Sequence, residues 1–264
     1  MTRVEAVQAE RLERWLDPRL RRGPERGIIV GSVAAAIGAG ARPIDPDSAR
    51  VAVGPALWLL DRAEDAIALT QTGALSRAFV RAMVEQWPAW WYADASGPPN
   101  REDDVALLHE LDTLLRAARL LRRKARTVVI TRRGRELRDD PAKLLTALAE
   151  QLLAGESFRA ACAELAGALI LDGAAAHDID GLAGRIHPAI AEQGWRSPDG
   201  PVSRHHVAWM TADILCAAEA IGLLARAQGA APRRRGSLVL AEAGRFGLIA
   251  GLRARAIAPA RTLH

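Results

Sequence analysis

Cysteine, lysine, tyrosine and phenylalanine are all scarce in this chain of 264 residues. Its two cysteines, Cys162 and Cys216, stand far apart and outside any paired spacing, which excludes a disulfide framework or a cysteine-based zinc site. A reducing cytoplasm is the expected location. His109, His177, His187, His205, His206 and His264 follow no metal-ligand spacing, so neither a metal nor any other cofactor is expected. Long hydrophobic runs are also missing. The nearest, Gly27 to Ala41, falls short of the roughly 20 apolar residues of a spanning helix. It follows a long charged, helix-like stretch that contains Glu5, Glu10, Glu13 and Asp17, so it does not read as a signal peptide. Its Gly27, Gly31, Gly38 and Gly40 depart from the dinucleotide-binding order, and packing of small residues accounts for them.

What is present can fill a core. Half the residues are hydrophobic and a quarter charged, a globular balance in a chain long enough for two ordinary domains. Of the 36 cationic residues only Lys124 and Lys143 are lysines; with the abundant alanine this fits a GC-rich genome. The net charge of +5 permits a nucleic-acid partner without demanding one.

Val4 to Leu16 reads as an amphipathic helix stopped at Asp17-Pro18, and Pro43, Pro46 and Pro55 mark a boundary. Residues 1–53 are therefore assigned to an N-terminal extension. Beyond it the chain repeats. LLRAARLLRR from Leu114 and AAEAIGLLAR from Ala217 correspond at an offset of 103 residues, and each precedes a basic turn and a short strand. Those strands, Thr127–Ile130 and Ser237–Leu240, lead into Gly134-Arg135 and Gly244-Arg245 at an offset of 110. A surface hairpin tolerates the difference in length. Glu85-Gln86-Trp87 and Glu192-Gln193-Gly194-Trp195 form a third pair in the same order, so a duplication is expected.

The first copy, 54–150, is read as a helix over Pro55–Asp65, a strand over Ile67–Thr70, a helix over Ser76–Trp87 and a third helix from Arg101 to Leu121 capped by Asn100. In the second, 151–264, Ser157 caps Phe158–Leu171, Asp178–His187 follows, and Ser203 caps a helix reaching Leu224. Each ends in a hairpin. The fold class expected is mainly α with small β-hairpins: tandem winged-helix (helix-turn-helix) units behind a helical extension.

Leu69-Thr70-Gln71-Thr72-Gly73-Ala74-Leu75, Asn100-Arg101-Glu102-Asp103-Asp104 and Thr131-Arg132-Arg133-Gly134 resemble segments of a family of uncharacterised bacterial proteins. The C-terminal part of that family looks like tandem winged helices. The resemblance covers about residues 55–255; it implies that fold and carries no activity with it.

From Arg116 to Arg138 the chain has ten cations against the single acid Glu136. This run supplies Arg122, Arg123, Lys124, Arg126, Arg132 and Arg133 as candidate phosphate contacts in the first hairpin. Arg233, Arg234 and Arg235 are their counterparts in the second, and Arg204 and His205 open the helix that would enter a groove. Dipole compensation at a helix end and ordinary solvation account for the same charges without a ligand. Glu102, Asp103 and Asp104, expected in the first turn of the third helix, would repel phosphate there. Trp87, Trp90, Trp91 and Tyr92 suit packing between units or subunits better than stacking on bases.

No acid pair, nucleophile–base pattern or phosphate loop stands out; Asp172, Asp178 and Asp180 near His177 suit a polar loop and a helix start. Three classes remain: a duplex-DNA-binding regulator working through arginine-rich wings, a scaffold that binds a protein partner or a second copy of itself, and an enzyme with a dispersed site. The first is the expected reading, without catalysis and without a membrane.

Overall fold

A computed structural model of the chain describes residues 2–91, 97–226 and 238–258. Among them thirteen α-helices and three small antiparallel strand groups occur, so the mainly α expectation holds. The N-terminal helices are α1 (Arg3–Leu16), α2 (Gly23–Ile28), α3 (Gly31–Ala39) and α4 (Pro46–Ala52). Then come α5 (Gly54–Arg62), β1 (Ile67–Ala68), α6 (Arg77–Gln86), α7 (Ala106–Ala117), β2 (Leu121–Lys124), β3 (Thr127–Ile130), α8 (Arg132–Arg138) and α9 (Pro141–Leu153). The remainder is α10 (Phe158–Leu171), α11 (Ile179–Glu192), β4 (Arg196–Ser197), β5 (Gly200–Pro201), α12 (Arg204–Ala220), β6 (Leu224–Arg226), β7 (Leu238–Leu240) and α13 (Glu242–Ile257).

Caps set the helix starts where the sequence signalled them. The hydroxyls of Ser76, Ser157 and Ser203 accept the backbone N–H of Phe79, Ala160 and His206, satisfying donors that a first turn leaves open. Thr2 and Glu5 close a capping box on α1. Other boundaries differ from expectation. The helix expected over Arg101–Leu121 is shorter at both ends. Glu102–Asp104 is a separate 3-10 turn, and Asn100 caps nothing; its amide oxygen accepts from Arg81 Nη2 at 2.9 Å. At the other end Arg119 takes φ +60° and Leu121–Lys124 turns into an edge strand. In the second half α12 likewise stops at Ala220, short of Leu224, whereas α11 runs past His187, through Pro188, to Glu192. The strand expected over Ile67–Thr70 is confined to Ile67–Ala68, with a single further bridge from Leu69 to Leu75.

The three-stranded sheet has the order β1-β3-β2, with Leu121 opposite Ile130 and Lys124 opposite Thr127. The pair β6–β7 sets Leu224 opposite Leu240. At the two helix-to-strand junctions the backbone bonds correspond. Leu120 N–H donates to Leu115 O at 2.9 Å and Leu223 N–H to Ala218 O at 2.8 Å; Thr131 N–H donates to Leu120 O at 2.9 Å and Ala241 N–H to Leu223 O at 3.2 Å. Gly134 and Gly244 lie against the carbonyl groups of Leu120 and Leu223, where no Cβ would fit. Trp87 packs edge-on to Trp58 of α5, with ring centroids 5.6 Å apart, and Trp195 packs on Phe158 of α10 at 5.9 Å. Trp87 thus packs within its own unit rather than between the units as expected, and Trp90 lies beside it with ring centroids 6.0 Å apart; Tyr92 lies outside the described residues.

One continuous core runs through the chain, with Leu59, Leu108, Leu115, Leu144, Leu148, Cys162, Leu169, Ile186, Ile214, Leu223 and Leu252 all buried. The N-terminal helices are part of it. α1 and α3 lie on α13, α2 on α11 and α4 on α9. The Arg21 guanidinium is buried and donates to the carbonyls of Trp15 and Leu16 at 2.9 and 3.0 Å and of Ile29 at 3.0 Å. It thereby serves carbonyls that the end of α1 leaves unpaired, while desolvation lowers its pKa. Among the described residues no helix is long and apolar enough to cross a membrane.

Candidate nucleic-acid interface

The basic run from Arg116 to Arg138 divides into two sets. One is neutralised by neighbours. Arg116 pairs with Asp112 at 2.8 Å, Arg132 with Glu136 at 2.9 Å, and Arg135 and Arg138 converge on Glu64 at 2.9 and 3.0 Å. The Arg135 bond holds the Glu64 carboxyl below its ordinary range and raises the guanidinium in turn. Arg138 also reaches Asp61 at 3.4 Å. These contacts fasten α8 to the end of α5 and leave little charge for a ligand.

The other set stays open. Arg122, Arg123, Lys124 and Arg126 are exposed on the β2–β3 hairpin and Arg119 in the turn just before it, and among the described residues they make no ion pair. The register explains the projection. β2 is an edge strand, and opposite it Val128 and Ile130 of β3 are buried while Val129 and Thr127 are half-buried. Only Leu121 of β2 enters the core. The Arg123 guanidinium lies over the Thr70–Ala74 turn, close enough that a Cβ on Gly73 would fall 2.7 Å from Nη1, and its Nε donates to Ala125 O at 3.1 Å. Arg133 is exposed at the start of α8, where its charge is felt by Glu150.

The acids beside this hairpin are occupied by the fold. Glu102 is buried; its Oε2 accepts the Leu75 N–H at 3.0 Å and its Oε1 lies 3.4 Å from His109 Nδ1. Asp104 Oδ2 accepts the N–H groups of Asn100 and Arg101, each at 2.9 Å, which depresses its pKa. Glu102 is thus withdrawn from the surface, whereas Asp103 and Asp104, in the 3-10 turn that precedes α7, remain exposed.

The second half departs further from expectation. Arg204 lies across α11, donating to Asp180 O at 2.8 Å over Gly184, and so is committed to packing. His205 is exposed, and His206 Nδ1 is 3.2 Å from Ser203 Oγ. Arg233, Arg234 and Arg235 lie outside the described residues. Moreover α7 and α12 pack against one another. Glu110 of α7 pairs with Arg159 of α10 at 2.8 Å and feels Asp213 of α12; burial raises its pKa despite the arginine. The α7–α12 contact thus covers part of each third helix, while the side of α12 that carries His205 and Trp209 stays exposed.

Sequence reasoning missed Trp209, which is 70% exposed on α12 four residues after His205. Periodicity carried that signal: the buried Val207, Thr211, Ile214, Leu215 and Ala218 leave Trp209 on the outer face. Among the described residues no group of histidine, cysteine or acidic side chains forms a metal centre.

No curated protein and no solved structure matches the chain. Residues 53–143, from α5 through the β2–β3 hairpin to the first turn of α9, are similar to the family described as the Y4jL N-terminal domain.

Proposed function

We propose that this chain is a cytoplasmic, non-catalytic, regulator-like protein of two winged-helix units that binds duplex DNA chiefly through phosphate contacts from the β2–β3 wing. The duplication is supported by the matched junction bonds of Leu120 and Leu223 and by Gly134 and Gly244 beneath them. The single observation that carries the binding reading is the division of charge. Arg122, Arg123, Lys124 and Arg126 stand exposed on one hairpin with Arg119 in the turn that enters it, while Arg116, Arg132, Arg135 and Arg138 beside it are matched to acids. Unpaired cations on a protruding hairpin release counterions from a phosphate backbone, and that release drives sequence-independent binding. Arg233, Arg234 and Arg235 would extend the same contact. With α7 and α12 packed together, base reading is secondary.

Titration of a labelled duplex at several salt concentrations tests the proposal. Replacing Arg122, Arg123, Lys124 and Arg126 by alanine should weaken binding to all sequences and flatten the plot of log K against log salt by about 0.9 per lost phosphate contact. Unchanged affinity in the substituted protein, or no binding by the wild type at low salt, would refute it.

A second reading is favoured by Trp209. An exposed indole beside His205 on a helix outside the basic hairpin suits a protein partner, since tryptophan anchors many interfaces. Under this reading the units form a scaffold, and Trp209→Ala removes partner or self-association while DNA affinity stays at the wild-type value.

A further inference from the structure

We propose that a cavity beside the α7–α12 contact is a binding site for a small planar aromatic molecule carrying an N–H or O–H donor. The cavity holds about 180 Å³, and an apolar cavity of about 150 Å³ accepts a benzene-sized ring. A one- or two-ring ligand therefore fits, and a nucleotide does not. Trp90, Trp91, Leu107 and Leu215 supply apolar walls, and His177 and Cys216 line the same space. Two half-buried indoles offer ring faces and edges for offset or edge-on stacking.

The polar end is acidic. Asp104 lines the cavity and is kept ionised by the two backbone N–H groups on its Oδ2. Its other oxygen makes no hydrogen bond among the described residues and is the acceptor for a ligand donor. The lining pair Glu219–Arg226, at 2.7 Å, largely cancels its own charge. The site thus favours neutral or cationic ligands over anions. It combines residues on both sides of α9, so a bound ring bridges the two halves of the chain. None of this depends on the DNA reading.

Cys216 provides the probe. Cys162 is buried, and desolvation pushes its thiol up to about 12, so alkylation by iodoacetamide at mildly alkaline pH reports on Cys216, with the labelled peptide identified by mass. Indole and tryptamine should slow that alkylation saturably, whereas indole-3-acetate should bind about tenfold more weakly, a difference equal to about 1.4 kcal/mol. Leu107→Trp, which fills the cavity, should abolish the protection. If that variant does not fold, Ala212→Leu occupies the same lining with a smaller change. Absence of saturable protection by all three compounds overturns the proposal, as does full protection in a folded, filled variant. Equal binding of indole-3-acetate and tryptamine overturns the assignment of Asp104 as the selecting group.

Discussion

Replacement of Gly244 by alanine tests whether the second helix-to-strand junction is closed as tightly as the backbone bonds imply. A Cβ at Gly244 would sit 2.6 Å from Leu223 C and 3.0 Å from its Cα, with the carbonyl oxygen nearer still. All three are backbone atoms, so no rotamer change relieves the overlap. Relief requires α13 to lift from the junction, which strains the Ala241 N–H to Leu223 O bond and the β6–β7 pair next to it. Alanine gains about 0.5–1 kcal/mol over glycine inside a helix, but overpacking costs about 1–3 kcal/mol. With rigid backbone on the receiving side the upper end applies, and a net loss of about 2 kcal/mol is expected. For a chain of this size that lowers Tm by about 4–8 °C. Gly134→Ala meets the Leu120 carbonyl oxygen first, then Ile130 Cγ1 at 2.7 Å and Leu120 C at 3.2 Å; its backbone overlap is less close than at Gly244 and part of the clash is with a movable side chain, so a smaller loss of about 1 kcal/mol follows. Gly27 in α2 has nothing within 4 Å of its would-be Cβ, so Gly27→Ala should be neutral or stabilising. Urea unfolding followed by circular dichroism, with unchanged m-values, ranks the three. A Gly244→Ala protein as stable as Gly27→Ala would refute the reasoning.

Arg21→Ala should cost about 2–3 kcal/mol in the same assay, because it leaves the carbonyls of Trp15, Leu16 and Ile29 without their charged donor; a loss below the error of the fit would contradict the buried geometry. Burial raises the Asp112 pKa despite the Arg116 bond, so the folded protein binds this proton more tightly than the unfolded chain. Stability from this group is therefore lost as pH rises from the unfolded value of about 3.8 through the raised folded pKa. Asp112→Asn should flatten that part of the pH–stability curve, and an unaltered curve would count against it. Thiol titration of the native protein should show Cys216 reacting well before Cys162, which burial holds near 12; equal rates would contradict the burial of α10.

The helix starts that were read were the most legible part of this sequence, because a serine hydroxyl or an aspartate at the cap is a local cause with a local effect: Ser76, Ser157, Ser203 and Asp178 all cap their helices, whereas α8, α9 and α13 were not anticipated. Helix ends were less so. In the second half Gly222, at φ +76°, marks the turn out of α12, but its counterpart Arg119 adopts φ +60° with an ordinary side chain. Tertiary closure overrides the residue's preference there, and of the leucine pair that reads as continued helix Leu120 falls in the turn and Leu121 begins β2. The candidate interface was legible as a run of charge, and the pairs Asp112–Arg116 and Arg132–Glu136, each one helical turn apart, are local; the rest of its division was not legible, because Glu64 reaches Arg135 and Arg138 through the fold rather than along the chain. The contact of α7 with α12 is equally non-local, and nothing in either helix taken alone announces it.

The attachment of α1 carries a consequence for the order in which the chain can fold. Arg11 donates to the carbonyl of Ile257 at 3.2 Å, and Trp15 Nε1 to Glu164 at 2.9 Å, while Arg255 bonds the same Glu164. During synthesis α1 emerges long before α13, yet its seat is completed only after α13 has left the ribosome. Until then the side of α1 that carries Leu12 has no surface to cover it, and such long-range closure is slow and open to misassembly. Newly made chains should therefore show protease cleavage near Asp17–Gly23 that disappears only when α13 has docked.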